Sequence, residues 1–230
     1  STAPIVAEGF DFGALASQIA TTPGERQAVA GVVGGALRSV GDYLIEAEIA
    51  RGGMGVVYQA TQLSLDRTVA VKILRDSILA SGPELERFRR EAAAAAALRH
   101  RNIVGIYEIA DHEGTPYFSM EYVPGSTLAQ LLVHGPMAPR HAAEVMIKVS
   151  NAVHHAHLHG VLHRDLKPSN VIMDAESEPM VTDFGLAKTD VENQGLTLSG
   201  QVLGTPAYMA PEQAQGLSKE AGPSTDIYGL

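Results

Sequence analysis

From Tyr43 onward the chain breaks into short apolar runs separated by glycine-rich or polar turns, the pattern of a strand-rich region. Tyr43-Leu44-Ile45-Glu46-Ala47-Glu48-Ile49 predicts a strand, Ala50-Arg51-Gly52-Gly53-Met54-Gly55 a tight turn, and Val56-Val57-Tyr58-Gln59-Ala60 the returning strand. Thr68-Val69-Ala70-Val71-Lys72-Ile73-Leu74 predicts a third strand, with Lys72 the single charge among apolar residues. The pattern then turns helical. Glu84 to Arg99 carries Leu85, Phe88, six alanines from Ala92 to Ala97 and Leu98, after a start at Gly82-Pro83. Tyr117-Phe118-Ser119-Met120-Glu121-Tyr122-Val123 returns to a strand that stops at Pro124-Gly125. Pro139 to His159 predicts one long helix with Ala142, Val145, Met146, Val149, Ala152, Val153 and Ala156 on its apolar side. His155 and His159 near its end have the i, i+4 spacing of a metal pair. No carboxylate or cysteine nearby completes such a set, so a packing helix is the expectation.

Residues 1–41 differ from the rest of the chain. They are rich in Ala, Gly, Thr and Ser, and Phe10, Phe12, Leu15, Ile19 and Val29 form only a weak amphipathic face, with a helix start at Pro23. We read 1–41 as an N-terminal extension or linker, 42–121 as a first lobe and 122–230 as a partial second one. Composition adds bounds. With 45% hydrophobic and 19% charged residues, the 230-residue chain has the make-up of a globular protein with one or two domains. A net charge of −9 argues against a nucleic-acid partner. The absence of cysteine removes disulfides and thiolate metal sites. The longest apolar run before residue 163, Ala28 to Leu37, falls well short of the roughly 20 residues of a spanning helix, so no membrane segment is expected.

The candidate chemistry lies in His163-Arg164-Asp165-Leu166-Lys167-Pro168-Ser169-Asn170, followed by Asp183-Phe184-Gly185. One loop thus places an aspartate, a lysine and an asparagine at short spacings, with a second aspartate nearby. Phosphoryl transfer asks for this set: a carboxylate to orient a hydroxyl, a cation beside the moving phosphoryl, and oxygen ligands for Mg²⁺. The glycine turn joins strand to strand, where bare backbone N–H groups can approach phosphate oxygens. Lys72 on a buried strand needs an anionic partner. Glu91, at the centre of the predicted helix, is the expected one, because Glu84 and Glu86 lie towards its exposed start.

In order and spacing, the glycine turn, Ala70-Val71-Lys72, Glu91, His163-Arg164-Asp165, Asn170, Asp183-Phe184-Gly185 and Ala210-Pro211-Glu212 resemble a eukaryotic-like protein kinase. Gly52-Gly53-Met54-Gly55-Val56-Val57-Tyr58 and Gly204-Thr205-Pro206-Ala207-Tyr208-Met209-Ala210-Pro211-Glu212-Gln213 are most similar to bacterial serine/threonine kinases. The resemblance covers about residues 42–230. It implies an α+β bilobal fold: a small antiparallel sheet with one helix, then a mainly helical lobe. It implies ATP and Mg²⁺ as cofactors, proteins bearing Ser or Thr as substrates, and a cytoplasmic kinase domain. Asp165 would accept the hydroxyl proton, Lys167 would sit by the phosphoryl, Asn170 and Asp183 would hold the metal, and Lys72, fixed by Glu91, would contact the α- and β-phosphates. Gly52, Gly53 and Gly55 would cover the phosphates. Val57, Ala70 and Ile172 would sandwich the adenine, Met120 would stand as gatekeeper, and the backbones of Glu121 and Val123 would meet the base. His163 is implied to pack, and Asp226 to steady the catalytic loop. Autophosphorylation of Thr197 and Ser199, possible through dimerisation, is the expected form of regulation, with Arg164 as the phosphate's partner.

Two features depart from the family pattern. Ala50 stands where the family has its first loop glycine, which would at most weaken ATP binding. The chain also begins at Ser1 and stops at Leu230, early in the implied second lobe, so it reads as part of a longer protein. These departures keep a second reading in view: a pseudokinase or inactive kinase fragment that acts as a nucleotide-binding interaction module. The presence of Lys72, Asp165, Asn170 and Asp183 favours the enzyme.

Overall fold

The structure, a computed structural model, describes residues 39–52, 55–74, 82–184, 206–217 and 220–230. It begins with a six-stranded antiparallel sheet: β1 (Ser39–Val40), β2 (Tyr43–Gly52), β3 (Gly55–Gln62), β4 (Arg67–Leu74), β5 (Ile106–His112) and β6 (Thr115–Glu121). Their order across the sheet is β1-β2-β3-β4-β6-β5. The sheet curls, bringing its two ends together: the Gly41 N–H after β1 lies 3.4 Å from His112 Nδ1 at the end of β5. The Tyr43 hydroxyl makes a second tie, donating to Glu108 Oε2 at 2.6 Å. Burial, and then this carboxylate, push the phenol up to about 12.

Strand β4 explains how the site face arises. Alternate side chains of a strand point to opposite faces. Val69, Val71 and Ile73 join a cluster with Val40, Tyr43, Val56 and Tyr58. Ala70 and Leu74 face the other way, towards Phe88, Ala92, Phe118 and Met120. Lys72 shares the parity of Ala70 and Leu74, which puts its long side chain on the second face.

Helix α1 (Gly82–Ala96) packs there. Phe88, Ala92 and Ala95 are buried at i, i+4 and i+7, and the small alanines let the helix come close to the sheet. Strand β6 ends at Glu121, two residues before the expected end at Val123, and residues 122–124 lead into β7 (Gly125–Thr127). Helix α2 (Leu128–Leu132) comes next, its start closed by a reciprocal cap between Thr127 and Gln130. The long helix α3 (Pro139–Leu158) buries Val145, Val149, Ala152, Val153 and Ala156, the face read from the sequence. A short turn over Pro168–Asn170 leads to β8 (Val171–Asp174) and β9 (Pro179–Val181), and the three strands pair in the order β7-β8-β9. The second core gathers α3 with Val161, Leu166, Val171, Met173, Val181 and Phe184. Helices α4 (Pro211–Ala214) and α5 (Pro223–Gly229) complete the described chain. No described helix is long and apolar enough to cross a membrane.

Candidate active site

Asp226 of α5 is the anchor of the site. Its side chain is buried, and its carboxylate accepts the backbone N–H groups of His163 at 2.8 Å and Arg164 at 2.7 Å. His157 Nε2 of α3 donates to the same carboxylate at 2.8 Å. Hydrogen bonds to an ionised acceptor are about twice as strong as neutral ones, so three of them fix the loop between two helices. Arg164 is held at a φ of 64°, a backbone region few non-glycine residues adopt. The His163 ring is fully buried against Phe184, with ring centres 4.8 Å apart. Its Nε2–H donates to the Thr182 carbonyl at 2.9 Å, and Nδ1 faces the Asp165 N–H at 3.3 Å. Burial holds this imidazole below its ordinary value, against the pull of Asp226 and Asp165. It is a neutral packing residue, as the resemblance implies.

The held loop presents three groups together. Lys167 Nζ lies 2.7 Å from Asp165 Oδ2. Asn170 Nδ2 donates to the Asp165 backbone carbonyl at 2.9 Å and to Oδ2 at 3.2 Å. The Asn170 carbonyl in turn accepts the Thr182 N–H at 3.0 Å, which sets the position of the next residue, Asp183. Asp183 also has a left-handed φ, 63°. Its Oδ1 accepts from Lys72 Nζ at 2.7 Å. Burial works against the charge on Asp183, yet Lys72, with Lys167 adding to it, keeps its carboxyl below the usual carboxylate range.

The expected pair was Lys72 with Glu91. Among the described ion pairs, Lys72 goes to Asp183, and Glu91 goes to Arg164, 3.0 Å from Nη1. The physical reason is proximity and burial. The Lys72 ammonium is almost enclosed and meets the Asp183 carboxylate first. The Glu91 carboxylate on α1 faces the catalytic-loop guanidinium.

The apolar wall assembles from distant stretches of chain. Ala70 and Met120 are register partners across β4 and β6. Val57, Val123 and Ile172 pack partly buried against the same cluster. Glu121 ends β6, and its N–H is tied to the Gly105 carbonyl at 2.8 Å. Gly52 and Gly55 pair at the mouth of the β2–β3 hairpin; Gly53 lies outside the described residues. Gly55 has a packing reason of its own: a Cβ there would sit 2.0 Å from the Ile73 carbonyl oxygen. The Ala50 methyl is exposed and accommodated in β2 opposite Val57. Gly185, Thr197, Ser199 and Thr205 also lie outside the described residues.

Two further participants have roles that the sequence alone does not suggest. Gln213 Nε2 of α4 donates to the Arg164 carbonyl at 2.7 Å, tying the region after Ala210-Pro211 to the loop. Thr225 Oγ1 donates to Glu212 Oε1 at 2.5 Å. Gln213 follows Ala210-Pro211-Glu212 directly, but nothing in a one-dimensional pattern says which backbone carbonyl an amide will reach. Among the described residues no group of three or more His, Asp or Glu is placed to hold a metal. His155 instead stacks between His100 and His159, with ring centres 5.2 and 4.4 Å away.

Comparison with known proteins agrees with this geometry. The protein kinase domain family model matches residues 43–230. The serine/threonine-protein kinase PrkC of Bacillus subtilis is 41% identical over 194 residues, 84% of this chain and 30% of PrkC. The serine/threonine-protein kinase PknB of Mycobacterium leprae is 40% identical over 184 residues, 78% of this chain and 29% of that protein. The chain thus spans about a third or less of the length of these curated relatives. Among solved structures, the PknI kinase domain of Mycobacterium tuberculosis superposes with a TM-score of 0.68 at 25% identity, covering 83% of this chain and 70% of that one. With the family model matching residues 43–230, most of this chain, the chain belongs to the protein kinase domain family.

Proposed function

We propose that this chain is the catalytic part of a serine/threonine protein kinase, which transfers the γ-phosphate of Mg-ATP to serine or threonine hydroxyls of protein substrates. One observation carries the reading: Asp165, Lys167 and Asn170 are bonded to one another on a loop held by Asp226, and Asp183 follows beside Lys72. Asp165 orients the substrate hydroxyl and takes its proton as that oxygen bonds to phosphorus and ADP leaves. Lys167 neutralises charge on the moving phosphoryl. A lysine at this place supports hydroxyl rather than phenol substrates by family resemblance. Such catalysis is mainly positioning and preorganised charge.

Mg²⁺ fits the donors present. Asn170 turns its Nδ2 towards Asp165, which directs the amide oxygen away, and Asp183 adds a carboxylate kept ionised by Lys72. A magnesium ion usually takes one or two protein oxygens and fills its remaining positions with water and phosphate. Bound there, it would neutralise phosphate charge. In the working arrangement Lys72 serves the α- and β-phosphates with Glu91 as its support, which asks Glu91 to leave Arg164. Val57, Ala70, Met120, Val123 and Ile172 receive the adenine, with the Glu121 and Val123 backbones at its edge. Gly52, Gly53 and Gly55 cover the phosphates. The kinase domain acts in the cytoplasm, where ATP is supplied, and pairs transiently with a second copy to phosphorylate Thr197 and Ser199.

The test is label transfer from γ-labelled Mg-ATP to a generic basic protein substrate, followed by phosphoamino-acid analysis. Phosphoserine or phosphothreonine that disappears with Asp165→Asn supports the reading. Label on tyrosine alone overturns the substrate class. Nucleotide binding with no transfer overturns the enzyme and leaves a nucleotide-binding interaction module.

A further inference from the structure

The peptide group that joins Arg164 to Asp165 is gripped at both of its polar ends. Its carbonyl accepts the Gln213 Nε2–H of α4 at 2.7 Å, and its N–H, that of Asp165, faces His163 Nδ1 at 3.3 Å. The first contact lies at the short end of the usual hydrogen-bond range and the second just past its long end, so Gln213 is the stronger grip. A peptide group is planar. Fixing its oxygen and its hydrogen therefore fixes the plane and the Asp165 Cα, the point from which the carboxylate leaves the backbone.

This peptide needs holding. Arg164 stands at a φ of 64°, a conformation that persists in a non-glycine residue only where its surroundings over-determine it. Its N–H donates to Asp226 Oδ1 at 2.7 Å and its guanidinium to Glu91 at 3.0 Å. Gln213 takes the remaining polar group, the carbonyl. The Gln213 amide is itself committed at both ends, because its Oε1 accepts the Ala210 N–H at 3.1 Å. Reversing the amide would set oxygen against oxygen and N–H against N–H, so one orientation satisfies both partners.

The two helices that hold Arg164 are also tied to each other. Thr225, the neighbour of Asp226, donates to Glu212, the neighbour of Gln213, at 2.5 Å. Asp226, Arg164, Gln213, Glu212 and Thr225 thus close a ring in which α4 and α5 brace one strained residue. We propose that Gln213 is a positioning residue for phosphoryl transfer: it locks the Arg164–Asp165 peptide and so aims the Asp165 carboxylate. The role rests on the kinase reading of the site. A misplacement of about 1 Å at a reacting centre can cost about a hundredfold in rate, which is the scale on which such a clamp matters.

The test measures transfer from Mg-ATP to a protein substrate, with kcat and KM separated, for the natural chain, Gln213→Ala and Gln213→Glu. Gln215→Ala, the same loss at an exposed position just after α4, is the control. The kcat of Gln213→Ala is expected to fall about ten- to a hundredfold with KM for ATP unchanged. In Gln213→Glu the ionised carboxylate sets an acceptor against the Arg164 carbonyl, with Asp165 in the same recess and the Arg164 guanidinium held by Glu91. The neutral acid restores an O–H donor there. The ratio of its kcat to that of the natural chain should therefore rise at least about threefold between pH 8 and pH 6. A ratio that is flat with pH shows a role in packing alone and overturns the proposal. So does an unchanged kcat in Gln213→Ala, or an effect confined to KM for the protein, which would make Gln213 a substrate contact. Amide hydrogen exchange is read on the same variants without nucleotide. The Asp165 N–H should exchange about fivefold or more faster in Gln213→Ala than in the control, the protection of one hydrogen bond; equal rates overturn the clamp. Absence of transfer by the natural chain would refute the kinase reading and the positioning role with it, while the exchange rates still decide whether Gln213 holds the peptide.

Discussion

Among single residues, Asp226 shows how one buried carboxylate can hold a loop by its backbone. It is 1% exposed and accepts from two backbone N–H groups and one imidazole. Asp226→Asn puts an amide N–H against a backbone N–H that can only donate, and removing one member of a buried charged network costs about 3 kcal/mol. Urea denaturation should show a loss of that order, together with a fall in transfer rate. His163 yields a pH prediction. Its folded value is depressed by burial, so below the unfolded value of about 6.5 the unfolded chain binds a proton that the folded one refuses. Its contribution is fully present above that value and is lost as pH falls towards the folded one, at up to about 1.4 kcal/mol per pH unit. His163→Phe keeps a ring against Phe184 and should flatten the pH dependence of the urea midpoint between about pH 6.5 and 5; an unchanged slope would show that His163 protonates freely. The site was only partly legible in the sequence. The grouping of Asp165, Lys167, Asn170 and Asp183 shows itself in type and spacing. The partners of Glu91 and Lys72 do not, because pairing of long charged side chains depends on where a helix and a loop settle relative to a strand.

For the elements, local chemistry explains why each piece starts and stops where it does. The β2–β3 hairpin needs glycine at position 55 for close packing on β4 as well as for any phosphate approach. Gly55→Ala forces a methyl into the Ile73 carbonyl, and overpacking of this kind typically costs about 1–3 kcal/mol. A lowered melting temperature with no nucleotide present would separate this structural role from a binding role. Thr127 closes the start of α2 by accepting the Gln130 N–H, while Gln130 Oε1 accepts the Thr127 N–H. Thr127→Ala removes half of that cap and should cost about 1 kcal/mol by denaturant titration. Strands β2, β3, β4 and β6 and helices α1 and α3 were readable because each carries a strong period or a long apolar face. Strands β1, β7 and β9 have two or three residues each, too few to show any period, and exist because neighbouring strands supply their hydrogen bonds.

In the molecule as a whole, a curled sheet with one helix and a helical part built on α3 meet at residues 122–124 and at the ion pairs from Lys72 to Asp183 and from Glu91 to Arg164. These two pairs cross from the sheet side to the helical part. Under the proposed function, their rearrangement is what would bring Lys72 and Glu91 together. Glu91→Gln weakens the hold on Arg164 and, under the proposed function, would also remove the support for Lys72, so it should lower transfer while leaving the stability of the sheet nearly unchanged by thermal unfolding. The bilobal architecture was legible in the sequence because the motifs fall in a fixed order along it. The curl of the sheet was not, since it depends on contacts such as Gly41 with His112, 71 positions apart. Kinase activity itself is best checked by single-turnover transfer of γ-labelled phosphate from Mg-ATP to protein serine or threonine, comparing the natural chain with Asp165→Asn at saturating nucleotide. General-base contributions are typically a factor of about 10²–10⁴. We expect transfer by the natural chain and a loss within that range in the variant, with nucleotide affinity unchanged. Equal rates in the two proteins would remove Asp165 from the chemistry and refute the proposed mechanism.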